Sequence, residues 1–221
     1  MNRDDAGSTD RGADTVVFDY GNVLYAWDPY GALAGRATIR QWEEFVREGG
    51  FGRWNEMCDA GVSFDQIEEA LVSAYPDRPD WLALLRLYWE RFSDTLTGPV
   101  AGTARIIEEL AGAGVPLYLL SNFNDRLFEA NRHLCPQLDL FDALIVSGAE
   151  HETKPGRRIF EILLDRHGLA PERTLFVDDS LPNITAAQDL GLRTHHFRGA
   201  GRLRAALTEA GLLPAAAAGR Q

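Results

Sequence analysis

The chain has 221 residues, 45% of them hydrophobic and 25% charged, with a net charge of −11. That length carries one sizeable core, or one core with a small satellite domain. An acidic balance without a basic stripe argues against a nucleic-acid partner. A small anionic substrate stays within reach of local cations and main-chain N–H groups. No run of about 18 apolar residues exists, so no membrane span is expected. The opening MNRDDAGSTDRGAD is polar and lacks the apolar stretch of a signal peptide. Cys58 and Cys135 stand far apart and outside any metal-spaced cluster, which fits reduced thiols in a cytoplasmic protein. The expected assembly is a monomer or a homodimer.

Short apolar runs alternate with helical patterns, the rhythm of a parallel α/β sheet. TVVF (15–18) reads as a first, buried strand. VPLYLL (115–120), DALIV (142–146), TLFV (174–177) and THHF (194–197) follow as further strands. Helices are expected over about 102–112, 124–133, 156–167 and 183–190, with Gly168 placed as a glycine stop.

Residues 28–96 break the rhythm. They hold Trp42, Trp54, Trp81 and Trp89, with Trp27 at the entrance, and no strand-like run. Amphipathic patterns cover 39–48, 63–74 and 80–92, and Ser63 with Gln66 fits a capping box. The expected organisation is a polar tail (1–13), an α/β core (14–27 and 97–212), an inserted helical unit (28–96) and a flexible tail (213–221).

Ligands of open α/β sheets bind off the carboxyl ends of the strands. Asp19 follows the first strand, and Ser121 and Asn122 follow the second. The loop SGAEHETKPG after the third holds Lys154, and Asp178, Asp179 and then Asn183 follow the fourth. Each alone is an ordinary turn, cap or surface residue. Four such signals at four strand ends converge on one rim and suit phosphoryl transfer. A carboxylate, Asp19, can attack phosphorus. Lys154 can screen two anions from each other. The Ser121 hydroxyl and nearby N–H groups can hold phosphoryl oxygens. Asp178 and Asp179 can hold Mg²⁺.

These motifs, FDYGNVL, LLSN, TKP and FVDDSLPN in that order, resemble the haloacid dehalogenase-like hydrolase superfamily. The match runs from about Val16 to Phe197. The resemblance implies a Rossmann-like parallel-sheet core with an inserted helical cap. FDxGNVL with the following WDP resembles a bacterial group that includes an α-D-glucose-1-phosphate phosphatase. By resemblance Asp19 is the nucleophile, Ser121 the phosphate-holding hydroxyl and Lys154 the ammonium. Asp179 is the direct Mg²⁺ ligand, with Asp178 beside it and the Gly21 carbonyl completing the set. Asn122 joins Gly21, Ser121 and Lys154 as a phosphate-binding candidate. The implied substrate is a small phosphorylated metabolite, a sugar phosphate among the candidates.

Gly21 departs from the pattern. Most phosphatases of the superfamily carry there an Asp that acts as general acid and then base. Such a group contributes typically about 10²–10⁴ in rate. Candidate replacements are Asp28 and the Glu150-His151-Glu152 cluster. A metal-free dehalogenase using Asp19 is the chemical alternative, and it fits poorly with the Asp178-Asp179 pair. An impaired phosphate-binding or regulatory protein is the alternative of another class. Trp27, Arg53, Trp54 and Met57 are candidate pocket residues. Arg40, Arg47 and Arg53 are candidates for meeting an anionic tail.

Overall fold

β1 (Thr15–Phe18) has no exposed residue, because strands pair with it on both sides and layers cover both its faces. The computed structural model describes residues 12–214. The expected tails at 1–13 and 213–221 therefore fall largely outside the described residues. Where described, the chain is packed at both ends: Ala13 and Leu213 are buried.

The sheet has five parallel strands in the order β5-β4-β1-β6-β7. The other strands are β4 (Leu117–Ser121), β5 (Ala143–Val146), β6 (Thr174–Asp178) and β7 (Arg193–His196). In register, Val17 stands between Tyr118 of β4 and Phe176 of β6. The chain runs outward from β1 to β4 and β5, then returns to β6 on the other side. The crevice off the carboxyl end of β1 is thus a topological switch point.

The connecting helices are α5 (Thr103–Gly112), α6 (Asp125–Asn131), α7 (Ser147–Glu150), α8 (Arg157–His167) and α9 (Leu181–Asp189), with α10 (Ala200–Glu209) at the end. Gly168 closes α8 at φ 63, the left-handed cap expected of it. Val17, Leu120, Phe160 and Phe176 pack on one face of the sheet. Val16, Phe18, Leu117 and Leu119 face the other side, in a cluster continuous with the inserted helices.

The insertion leaves and re-enters through a short antiparallel hairpin, β2 (Tyr25–Trp27) against β3 (Leu96–Pro99), with a bulge at Ala26/Trp27. Three-residue β2, and a β3 that contains Gly and Pro, give too weak a pattern to read as strands. Between them lie four α-helices rather than three: α1 (Ile39–Arg47), α2 (Phe51–Asp59), α3 (Phe64–Ala74) and α4 (Pro79–Glu90). α1 and α3 open on full capping boxes, Thr38/Gln41 and Ser63/Gln66. α2 starts from Gly50 at φ 69 without a side-chain cap, so its start carries no cap signature. Its apolar stripe of Phe51, Trp54 and Cys58 is buried. Trp42 meets Phe51 edge-on at 4.5 Å, and Phe51 meets Tyr88 at 5.0 Å. The four inserted tryptophans are each under 9% exposed, so they build the cap's own core.

Candidate active site

The loop that follows each of the first four strands of the α/β rhythm delivers a polar residue to one rim. The N–H of Asp19 donates at 2.9 Å to Val177 O, so the β1–β6 ladder still grips the chain where Asp19 turns into the crevice. Ser121, the last residue of β4, is buried at the crevice floor. The Asn122 side chain clamps the Lys154 main chain twice: its Oδ1 accepts from the Lys154 N–H, and its Nδ2 donates to Lys154 O, both at 2.8 Å. That amide is spent on aiming Lys154, so a phosphate contact from Asn122 falls to its main chain.

Lys154 Nζ donates to Asp19 Oδ1 at 2.8 Å and to Asp178 Oδ2 at 2.7 Å. Burial alone would lower the lysine pKa, but the two carboxylates outweigh it and hold the ammonium above its ordinary value. Asp178 is fully buried. Its Oδ1 accepts from the Ser180 N–H at 2.8 Å, and Asn183 Nδ2 stands 3.1 Å from both its oxygens. Asp179 is half-buried and faces the crevice. His196 Nε2 lies 3.0 Å from its carbonyl, and the Asn22 side chain opposes the upward shift of its carboxyl. Asn22 takes the left-handed conformation (φ 56) that its residue type tolerates, and its Oδ1 accepts from the Trp27 N–H at 3.1 Å.

Asp19, Asp178 and Asp179 offer oxygens that all lie within 4.8 Å of one another. One ammonium among three carboxylates leaves excess negative charge. Burial pushes the Asp19 carboxyl up to about 7 against the pull of Lys154, with Asp178 and Asp179 adding to the rise. Burial and Asp178 raise Asp179 as well. A hard divalent cation fits this surplus of charge and this all-oxygen donor set. Asp19, Asp179 and the crevice-lining main chain of Gly21 are the available donors. Asp178 is already engaged by Lys154, Ser180 and Asn183.

The helical cap closes the crevice into a cavity of about 290 Å³. Trp27, Phe92, Leu96 and Phe123 form an apolar wall. Asn55, Asp59 and Tyr88 supply polar groups from the cap side. The last turn of α2 is fastened to the loops after β4 and β5 through its main chain. Asn124 Nδ2 donates to Cys58 O at 3.1 Å, and Ser147 Oγ donates to Asp59 O at 2.6 Å. His151 Nδ1 lies 3.2 Å from Ala60 O.

Other expected residues are placed elsewhere. Asp28 is exposed and N-caps the 3-10 turn Pro29–Leu33, accepting from the Tyr30 N–H at 3.0 Å, and it does not line the cavity. Glu150 pairs with Arg166 at 2.6 Å, and His151 serves the cap contact just described. Trp54 lies in the cap core, its Nε1 donating to Gly49 O at 2.7 Å, with the Arg53 guanidinium 4.9 Å from its ring centre. Of the pocket candidates, Trp27 alone lines the cavity; Met57 does not. Arg47 pairs with Glu48 at 3.0 Å, and Arg40 is exposed. Sequence reading missed Asn22, Tyr88, Phe92, Leu96 and Phe123 of the cavity lining, and from α2 it missed Asn55 and Asp59. For the α2 pair, i,i+4 spacing at the end of a buried stripe was the available signal.

A parallel α/β sheet with an acid-lined crevice at its switch point, covered by inserted helices, defines a Rossmann-like core with a helical cap over its site. Residues 13–191 match the family described as haloacid dehalogenase-like hydrolase, and the chain belongs to that family. It is 29% identical over 192 residues to the sesquiterpene phosphatase AstK of Aspergillus oryzae, covering 82% of this chain and 88% of that protein. A HAD-like family hydrolase from Porphyromonas gingivalis shares the fold with a TM-score of 0.67 at 22% identity, over 89% of this chain and 97% of that one. The magnesium complex of a HAD family enzyme from Bacteroides thetaiotaomicron gives 0.64 at 21% identity, over 86% and 95%. Among the described residues no helix is long and apolar enough to cross a membrane.

Proposed function

We propose that the protein is a Mg²⁺-dependent phosphatase that cleaves a small phosphate monoester through an aspartyl-phosphate on Asp19. The observation that carries this reading is the buried Lys154 bridging Asp19 and Asp178 beside a third carboxylate, Asp179. A lone nucleophilic acid would not need two more acids around it; a site for a cation and a phosphoryl group does. Asp19 attacks phosphorus while Lys154 offsets the charge of the two approaching anions. Ser121, which lines the crevice, would donate to a phosphoryl oxygen. Mg²⁺ held by Asp19, Asp179 and the Gly21 carbonyl would supply further positive charge to the phosphoryl oxygens.

The apolar wall of Trp27, Phe92, Leu96 and Phe123 suits a substrate whose organic part is largely hydrocarbon. AstK, named a sesquiterpene phosphatase, is a relative in keeping with such a substrate. The dehalogenase alternative is disfavoured by the acid cluster, which would repel a carboxylate substrate. The protein acts in the cytoplasm on this reading.

The test is phosphate release from a panel of alkyl, prenyl and sugar phosphates with and without Mg²⁺. Asp19→Asn serves as the control, and halide release from a 2-haloacid is measured in parallel. Mg²⁺-dependent phosphate release that Asp19→Asn abolishes supports the proposal. Halide release without metal would replace it with the dehalogenase reading. Phosphate binding without turnover would favour the regulatory one.

A further inference from the structure

We propose that Asp59, carried by the cap rather than the core, is the general acid and base of this site and replaces the side chain that Gly21 lacks. The inference rests on the phosphatase reading above. Three carboxylates line the cavity: Asp19, Asp179 and Asp59. Asp19 and Asp179 belong to the acid cluster around Lys154, whereas Asp59 lies outside it, on the cap side. A leaving oxygen must point away from the attacking Asp19, and so toward the cap. The cap presents one carboxylate there.

The surroundings of Asp59 fix its direction. Its main-chain carbonyl accepts from Ser147 Oγ at 2.6 Å, and the flanking Cys58 and Ala60 carbonyls are held by Asn124 and His151. Asn55 Nδ2 donates to Asp59 Oδ2 at 2.9 Å, and Asn55 Oδ1 accepts from the Tyr88 hydroxyl at 2.9 Å. Hydrogen bonds from Tyr88 of α4 through Asn55 of α2 thus hold one carboxyl oxygen of a residue that lines the cavity.

The charged and titratable groups facing Asp59 are Glu56 on its own helix, Asp19 and Lys154 from the core, and its neighbours Cys58 and Tyr88. Burial is the largest influence and brings the carboxyl up to about 7, with Glu56 and Asp19 adding to the rise and the Asn124 N–H and Lys154 opposing it. A carboxyl poised there can give a proton and take one back near neutral pH.

The steps balance as follows. An Asp19 oxygen forms a bond to phosphorus as the bond from phosphorus to the leaving oxygen breaks, and the Asp59 proton goes to that oxygen to give the alcohol. The Asp59 carboxylate then takes a proton from water as its oxygen attacks phosphorus. Inorganic phosphate leaves, the Asp19 carboxylate returns and Asp59 is protonated again.

The test compares an alkyl phosphate, whose leaving oxygen needs a proton, with para-nitrophenyl phosphate, whose leaving oxygen does not. In Asp59→Asn, kcat/KM should fall about 10²–10⁴-fold on the alkyl phosphate and less than about tenfold on the nitrophenyl ester. The nitrophenyl ester should show a burst of nitrophenolate, because hydrolysis of the aspartyl-phosphate has lost its base. Equal losses on both esters, or no loss, would overturn the proposal. The wild-type protein gives a second reading that does not depend on how the variant folds. Its kcat/KM should decline with rising pH near 7 for the alkyl ester and not for the nitrophenyl ester; matching profiles would overturn it too. A wild type that releases no phosphate from either ester fails at the phosphatase reading. A wild type that works, with Asp59→Asn unchanged beside it, fails at Asp59 alone.

Discussion

Lys154 Nζ stands 2.7 Å from Asp178 Oδ2 and 2.8 Å from Asp19 Oδ1, so a single buried ammonium bridges the ends of β6 and β1. Removing one partner of a buried ion pair strands the other. Lys154→Met leaves two desolvated carboxylates facing each other and should cost about 3–5 kcal/mol in urea unfolding. Phosphatase activity should fall with it. Lys154→Arg should not restore activity, because a planar fork cannot occupy the point-charge position between two close oxygens. An arginine variant with full activity would show that Lys154 contributes only charge.

Asp178 and Asp179 are adjacent in sequence but differ in what holds them. Asp178 has its oxygens filled by Lys154, Asn183 and the Ser180 N–H, whereas Asp179 faces the cavity. A Mg²⁺ titration of the melting temperature separates them. Binding to the folded state raises stability by RT ln(1 + [L]/Kd). Asp179→Asn should fold normally and lose most of the Mg²⁺-dependent rise. Asp178→Asn should lower the melting temperature even without metal. The opposite pattern would assign the direct ligand to Asp178.

The Asp59 carboxyl also leaves a mark on stability. Its ordinary value is 3.8 and burial brings it to about 7 in the folded protein. Between those values the folded state keeps a proton that the unfolded chain gives up. The proton contributes stability below about pH 4, and that contribution is lost as pH rises through about 7. In Asp59→Asn this loss disappears, so the variant should gain on the wild type when unfolding at pH 8 is compared with pH 5. A constant difference between the two proteins across that window would mean that Asp59 is not perturbed.

Cap docking rests on a close approach at Gly61. It sits at φ 77, and a Cβ there would come 2.3 Å from Gly148 O and 2.7 Å from His151 Nδ1. Gly61→Ala should therefore push the end of α2 off the core, lowering stability and, with Asp59 displaced, activity. Gly52, in α2, has open space where its Cβ would be. Gly52→Ala should stabilise by about 0.5–1 kcal/mol through helix propensity, with kinetics unchanged. Equal behaviour of the two alanines would remove the docking argument.

Asp19, Ser121, Lys154 and Asp178 were legible because each follows an apolar run, and strand ends in this topology converge on one crevice. The parallel sheet was legible for the same reason, with strand limits shifted by one or two residues. The β2–β3 hairpin was not, because Tyr25–Trp27 is three residues long and Leu96–Pro99 contains two residues that ordinarily break strands. α2 escaped because it opens on a left-handed glycine instead of a capping side chain. Asp59 escaped with it. Its place over the crevice comes from main-chain carbonyls of α2 gripped by Asn124, Ser147 and His151, a tertiary arrangement with no local pattern. Asp28 stands at the entrance to the cap in sequence, but it is exposed after the bulged hairpin, and its carboxylate caps a 3-10 turn.

Gly21 offers the most direct way to ask what its missing side chain costs. A Cβ built there meets nothing within 4 Å, and its φ does not lie in the left-handed region, so an aspartate can be installed without strain. If Asp59 supplies the proton in its place, the two positions are redundant. Gly21→Asp alone should then change kcat/KM on an alkyl phosphate by less than about tenfold. In the Asp59→Asn background the same substitution should recover at least about tenfold of the loss, within the range that one general acid contributes. Such non-additivity is what a double-mutant cycle reads for two groups serving one step. Simple additivity of Gly21→Asp and Asp59→Asn would mean that the two carboxyls act on different events and that the proton comes from elsewhere.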